Sequence, residues 1–145
     1  MSETSDPVPP RLEFVARVSI PLTEPIVGSG KSVRGTRQLI PFSSGTVTGP
    51  KLSGRVLPGG ADVQLLRADG VAEIDAKYLI ETGRGERVFV RNAGIARGAR
   101  PELYFRTTPV FETEAPELQW LMQNVFVGTG AVVAGGVQLL WFQLC

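Results

Sequence analysis

No histidine occurs anywhere in the 145 residues of this chain. Its absence removes the commonest general base, the commonest metal ligand and every Ser-His or Cys-His nucleophile arrangement together. Any chemistry must then run on carboxylates, Tyr, Arg or Lys, and the expectation is a protein without metal or cofactor. Cysteine is nearly as scarce. The single thiol is Cys145, the last residue, so no disulfide can form within the chain and a reducing, cytoplasmic setting is expected. Charge of one sign is lacking too: 15 basic against 14 acidic side chains leave a net +1, which offers nothing for nucleic acid or an anionic membrane to recognise. Nor is there a long hydrophobic run. The best stretch, "GAVVAGGVQLLWF", is too short and too rich in glycine for a membrane-spanning helix, and the polar, proline-bearing "MSETSDPVPP" at residues 1–10 reads as a loose tail without a secretory signal.

What the chain has in quantity is turn chemistry, with 17 Gly and 11 Pro spread along its length. Between them lie short alternating segments: Leu12, Phe14, Ala16, Val18 and Ile20 alternate with Arg11, Glu13, Val15, Arg17 and Ser19 before Pro21 stops the run. Further strands are expected at Thr36–Phe42, Thr46–Gly49, Leu52–Leu57, Asp62–Ala68, Val71–Glu81, Arg87–Ala93, Leu103–Glu112, Val125–Val127 and Val137–Leu144. "PGG" at Pro58–Gly60, "ADG" at Ala68–Gly70 and "TGRGE" at Thr82–Glu86 suit hairpin turns, so neighbouring strands should pair antiparallel. One segment, Pro116–Met122, reads as a short helix, with proline suited to its first turn and Glu117 suited to the dipole there.

About ten short strands and scarcely any helix predict an all-β fold, an antiparallel closed or nearly closed barrel, filling one domain over residues 11–145. Closure removes exposed strand edges, and a barrel of this size leaves room for one small ligand. A chain this long buries roughly 68–70% of its unfolded surface, enough for one core.

"PIVGSGKSVRG", Pro25–Gly35, has the outline of a phosphate-binding loop but fails its physics. Counting back from Gly30, Lys31 and Ser32, the leading glycine position falls on Pro25, which has no N–H to offer, and no helix follows to present its N-terminus to a phosphate. A polar loop between two strands is the better reading.

Five groups of residues could carry chemistry or binding. Asp62 follows two small residues at the start of an apolar strand, where partial desolvation would raise its pKa into the range of a general acid or base; the same residue could instead cap its own backbone in a hairpin turn. Glu73 and Asp75 lie two apart on one face of their strand, roughly 7 Å from each other, which suits paired acid and base work or a solvated outer wall. Tyr104 and Arg106 share a face of the strand "YFRTTPVFE", Arg106 able to steady an oxyanion and Tyr104 to donate a proton if that face looks inward, or to form an exposed ladder with Glu112 if it looks out. Trp120 and Trp141 offer flat walls for an aromatic ligand or filling for a core. Arg37 and Arg91, each among apolar neighbours, could pair with a carboxylate across the barrel.

Four strings in order, "GTRQLIPFSSGTVTGPKLSGRVLPGGAD" (Gly35–Asp62), "VRNAGIARG" (Val90–Gly98), "YFRTTPVFET" (Tyr104–Thr113) and "WLMQNVFVGTG" (Trp120–Gly130), resemble a bacterial and fungal family known as domain of unknown function 3237. The resemblance covers nearly the whole chain. It implies a small β-barrel with a central cavity and leaves the activity open. The family pattern carries an aromatic residue where Val63 stands, Tyr near Leu118, Asn near Met122 and Arg near Val132. Apolar residues at these four positions, Met122 included, imply a drier pocket and a more hydrophobic ligand if they line the cavity, or altered packing or an oligomer contact if they lie outside it.

The function expected from these readings is a cofactor-independent isomerase, cyclase or lyase acting on a small, largely apolar carbonyl or phenolic compound, with Asp62, Glu73, Tyr104 and Arg106 in catalytic roles and Arg37, Arg91, Trp120, Met122 and Trp141 around the ligand. A non-catalytic carrier or sensor of the same kind of molecule is the rival. A structural module is the third reading, drawn from the apolar C-terminal strand "VQLLWFQL", which could join subunits into a homo-oligomer.

Overall fold

The computed structural model describes residues 4–145; the first three residues of the expected tail lie outside the described residues. Among the described residues there are eleven strands and one 3₁₀ segment: β1 (Leu12–Pro21), β2 (Val27–Ser32), β3 (Gly35–Phe42), β4 (Thr46–Thr48), β5 (Gly54–Val56), β6 (Gly60–Leu66), β7 (Ala72–Thr82), β8 (Arg87–Arg97), β9 (Tyr104–Glu112), the 3₁₀ segment Pro116–Met122, β10 (Val125–Val133) and β11 (Gly136–Leu144). Every pairing is antiparallel. Eight strands close a ring in the order β7, β5, β4, β1, β11, β10, β9, β8 and back to β7, while β6, β3 and β2 form an outer three-stranded flap. The flap hangs from the same edge of β7 that β5 uses: β5 pairs with Ile80–Thr82 and β6 with Ala72–Lys77. Thus one long strand serves the ring at one end and the flap at the other.

The expected turns form where the glycines allow them, with Gly70 at φ 87° and Gly85 at φ 79° in the hairpins before β7 and β8. Two local readings change. Val27–Ser32, expected as loop, is a strand: its "VGSGKS" has no alternation to betray it, yet its backbone pairs with β3 around a bulge between Gly28 and Gly30, with all six residues exposed. Alternation in β1 also breaks. A register shift against β11 between Phe14 and Ala16 turns Val15 and Ala16 both inward and leaves Leu12 and Phe14 exposed.

The strand faces follow the sequence elsewhere. Ile74, Ala76, Tyr78 and Ile80 of β7 point into the core, as do Phe105, Thr107, Pro109 and Phe111 of β9. Aromatic rings fill one half of the interior: Phe111 meets Phe126 and Trp141 edge-on, each at 5.1 Å between centroids, and Phe126 lies 5.9 Å from Trp120. The 3₁₀ segment closes that end by burying Leu118 beside the β4–β5 loop and the β7–β8 turn and Leu121 beside β9 and β10. The opposite end is hollow.

Candidate functional site

The hollow end holds a cavity of about 110 Å³, bounded by the flap on one side and by the ends of β1 and the β10–β11 hairpin on the other. Its floor is one cross-strand row, Ile40, Asp62, Ala76 and Asn92, running over β3, β6, β7 and β8. Ala76 is the reason there is space: a methyl side chain stands between two longer polar ones. Ile74 and Tyr78 flank Ala76 on β7, and Ile20, Leu22, Phe105, Val137 and Leu139 supply an apolar roof. Phe105 is held against Gly130, where a Cβ would stand 2.6 Å from its ring carbons.

Asp62 is the one charged residue on this lining and is only 7% exposed. Its position follows from a break in the β6–β7 ladder. Pairs form at Ala61–Lys77 and Asp62–Ala76, and again at Leu65–Glu73 and Leu66–Ala72, with none between. In that gap the Asp75 N–H donates to Asp62 Oδ1 at 2.9 Å, so a side chain completes the wall where backbone would otherwise pair. Gln64 Nε2 donates to Asp62 Oδ2 at 3.2 Å, and Gln38 Nε2 donates in turn to Gln64 Oε1. Burial pushes the Asp62 carboxyl up to about 6, opposed by the Asp75 N–H and the Gln64 amide and assisted by the nearby Asp75 carboxylate. A carboxyl poised there changes protonation state with little driving force near neutral pH, as a proton carrier must.

Two other polar side chains share the cavity. Tyr78 and Asn92 are each 3% exposed, and Tyr78 Oη and Asn92 Oδ1 have no hydrogen-bond partner within the protein. Tyr78 packs its ring edge-on against Phe42 at 5.5 Å, and burial raises its pKa, so the phenol stays protonated. Thr107 Oγ1 and Trp141 Nε1, deeper in the ring, are likewise buried and unpartnered.

Of the residues given catalytic or ligand-binding roles from sequence, Asp62 alone lines this cavity. Glu73 is exposed on the outer face of β7, 3.7 Å from Arg67, and so does not join Asp62. Tyr104 and Arg106 face outward as well: Arg97 and Arg106 stack on the Tyr104 ring at 4.3 and 5.0 Å, and Arg106 Nη1 donates to the Phe105 carbonyl. The inward face of β9 belongs to the apolar Phe105 and Phe111, which excludes the charged alternate positions from the interior. Arg91 pairs outside with Asp75 at 3.0 Å, and half-buried Arg37 reaches the Val63 carbonyl at 3.5 Å on that same outer side. Trp141 is fully buried among Phe111 and Gly128, acting as core; Trp120 lies under Lys51 at 5.6 Å on the 3₁₀ segment; Met122 is 43% exposed at the far end. Val132 sits at the cavity rim, whereas Val63 lies on the outer side and Leu118 is packed in the core. The C-terminal strand has no free edge for a second subunit, because β1 and β10 pair with its two sides.

Sequence reasoning passed over Gln64, Tyr78 and Asn92. For Tyr78 the signal was present, since its place in the alternating face of β7 with Ile74 and Ala76 puts it inward. Asn92 stands in the same phase as Val88 and Val90, a polar residue on an apolar face.

Residues 10–144 match the family model described as protein of unknown function, DUF3237. The chain belongs to that family. A UPF0311 protein of Rhodopseudomonas palustris is 42% identical over 120 residues, 73% of this chain and 78% of the relative, and a UPF0311 protein of Clostridium acetobutylicum is 34% identical over 146 residues, 91% and 92% of the two chains. The crystal structure of a conserved R. palustris protein of unknown function superposes with a TM-score of 0.89 at 36% identity, over 97% of this chain and all of that one. A further relative by sequence is a hydroalkoxylation enzyme of Penicillium herquei, 31% identical over 126 residues, 86% of this chain and 77% of the enzyme. The crystal structure of an enzyme from that fungus superposes with a TM-score of 0.79 at 27% identity, over 99% of this chain and all of that one.

Proposed function

We propose that the cavity is an active site in which Asp62 carries a proton during the addition of a hydroxyl group across a carbon–carbon double bond of a small, largely apolar compound, closing a ring when both groups belong to one molecule. The observation that carries this reading is a buried carboxyl with a raised pKa on an otherwise apolar wall. Likeness to a hydroalkoxylation enzyme supports the reaction class. The step balances without redox change: Asp62 accepts the hydroxyl proton as the oxygen bonds to one alkene carbon, the π pair moves to the neighbouring carbon, and that carbon receives the proton from Asp62. The same groups serve the reverse elimination.

Size limits the substrate. An apolar cavity near 150 Å³ admits one benzene ring, so the hollow at about 110 Å³ takes a group smaller than that, with the rest of the ligand lying at the rim beside Leu22 and Val132. Incubating the protein with a cellular metabolite extract in D₂O, followed by mass spectrometry, tests the reading. A product isomeric with its precursor and carrying one non-exchangeable deuterium is expected from the wild type and not from Asp62→Asn. Saturable binding without conversion, or equal conversion by both proteins, overturns it.

A further inference from the structure

The Asp62 reading says where the proton goes and leaves open what holds the reacting oxygen. Tyr78 and Asn92 bear on that question. Both line the same cavity as Asp62, both are almost wholly buried, and Tyr78 Oη and Asn92 Oδ1 are buried without a partner. Buried polar atoms are bonded in the great majority of folded proteins, and a bare one costs about 1–3 kcal/mol. The two sit diagonally across the β7–β8 pair, Tyr78 opposite Val90 and Asn92 opposite Ala76, so they are neighbours on one interior face.

Their chemistry is complementary. Tyr78 Oη carries a proton that burial prevents it from losing, so it offers a donor; Asn92 Oδ1 offers only an acceptor. A group that satisfies both must accept once and donate once. A carbonyl or ether leaves Asn92 Oδ1 bare, and a hydrocarbon leaves both atoms bare. A carboxylate or phosphate meets an amide oxygen and the Asp62 carboxyl with no Lys or Arg on the lining to offset it. A neutral hydroxyl fits.

We infer that Tyr78 and Asn92 are the docking pair for a neutral alcohol or phenol on the substrate, Tyr78 donating a hydrogen bond to its oxygen and Asn92 Oδ1 accepting a hydrogen bond from its O–H, which defines the ligand class as uncharged hydroxyl compounds with an apolar body. The inference rests on the addition reading in taking that hydroxyl as the nucleophile, whose O–H turns from Asn92 Oδ1 to Asp62 when the proton is transferred. Once the proton has left for Asp62, the Tyr78 hydrogen bond remains on the oxygen that becomes the ether.

Phenol and toluene, similar in size and differing in the hydroxyl, are suitable probes, with benzoate to report on charge. Affinities measured by NMR titration or calorimetry are expected to give a phenol-to-toluene ratio that falls about tenfold in Tyr78→Phe and in Asn92→Leu, while benzoate does not bind the wild type. Each variant's fold is checked by circular dichroism, and Tyr78→Phe, which keeps the ring against Phe42, carries the test alone if Asn92→Leu does not fold. A ratio unchanged in Tyr78→Phe, or benzoate binding as tightly as phenol, overturns the inference. Loss of the ratio in the two docking variants, in a protein that converts nothing, upholds the docking pair and removes the proton-carrier reading alone.

Discussion

Replacing Asp62 by Asn should make the protein more stable at alkaline pH and inactive at every pH. The folded chain holds the Asp62 proton more tightly than the unfolded chain does, with a folded value of about 6 against an ordinary 3.8. Stability from this group is therefore complete below about pH 4, is lost as the pH rises through about 6, and stays lost above it. The loss corresponds to about 3 kcal/mol for a carboxyl this buried. Asparagine keeps an oxygen that can accept the Asp75 N–H and cannot ionise, so it avoids that loss. Thermal or urea unfolding of both proteins at pH 4 and pH 8 is the assay. At pH 8 the variant should gain up to about 3 kcal/mol, or about 5–10 °C in Tm, relative to whatever difference is found at pH 4. A difference that is the same at both pH values would show that Asp62 ionises in the folded chain as freely as in water, and the proton-carrier reading would lose its basis.

Other expectations can be checked independently. For turnover with Asp62 acting first as a base, kcat/KM should rise with pH through about 6 and level off above it; a profile falling over that range would contradict this order of proton transfer. Ala76→Leu fills the space between Asp62 and Asn92, so phenol binding should vanish in calorimetry while the melting curve stays cooperative and stability changes by less than about 2 kcal/mol. Thr107→Val removes an unpartnered buried hydroxyl and should stabilise the chain by about 1 kcal/mol in denaturant titration; a comparable loss would place a bound water on Thr107. Trp141→Ala removes the ring that meets Phe111 and should cost about 3–5 kcal/mol in the same measurement.

How far the sequence led differs between fold and site. Period-two alternation is imposed by burying one face of a strand, and in β7 and β9 it was intact, so the inward residues of both could be named in advance. Where the backbone alone decides, the signal fails. The strand β2 is entirely exposed, and β1 carries a bulge that no side-chain pattern announces. The site was harder still. Asp62 could be found because a carboxylate heads an apolar strand, but Tyr104 and Arg106 drew attention through chemistry that their own face directs to solvent. Tyr78 and Asn92 went unnoticed because a lone polar residue on an apolar face looks like packing until its neighbours show that nothing bonds it.

The aromatic plug of Phe111, Phe126 and Trp141 and the vacant half beyond Ala76 divide the barrel between persistence and novelty. Rim and roof positions such as Leu22, Ile40 and Val132 can drift toward new guests while the packed half keeps the molecule folded. A lineage built this way can diversify its chemistry one wall residue at a time, without first rebuilding its foundation.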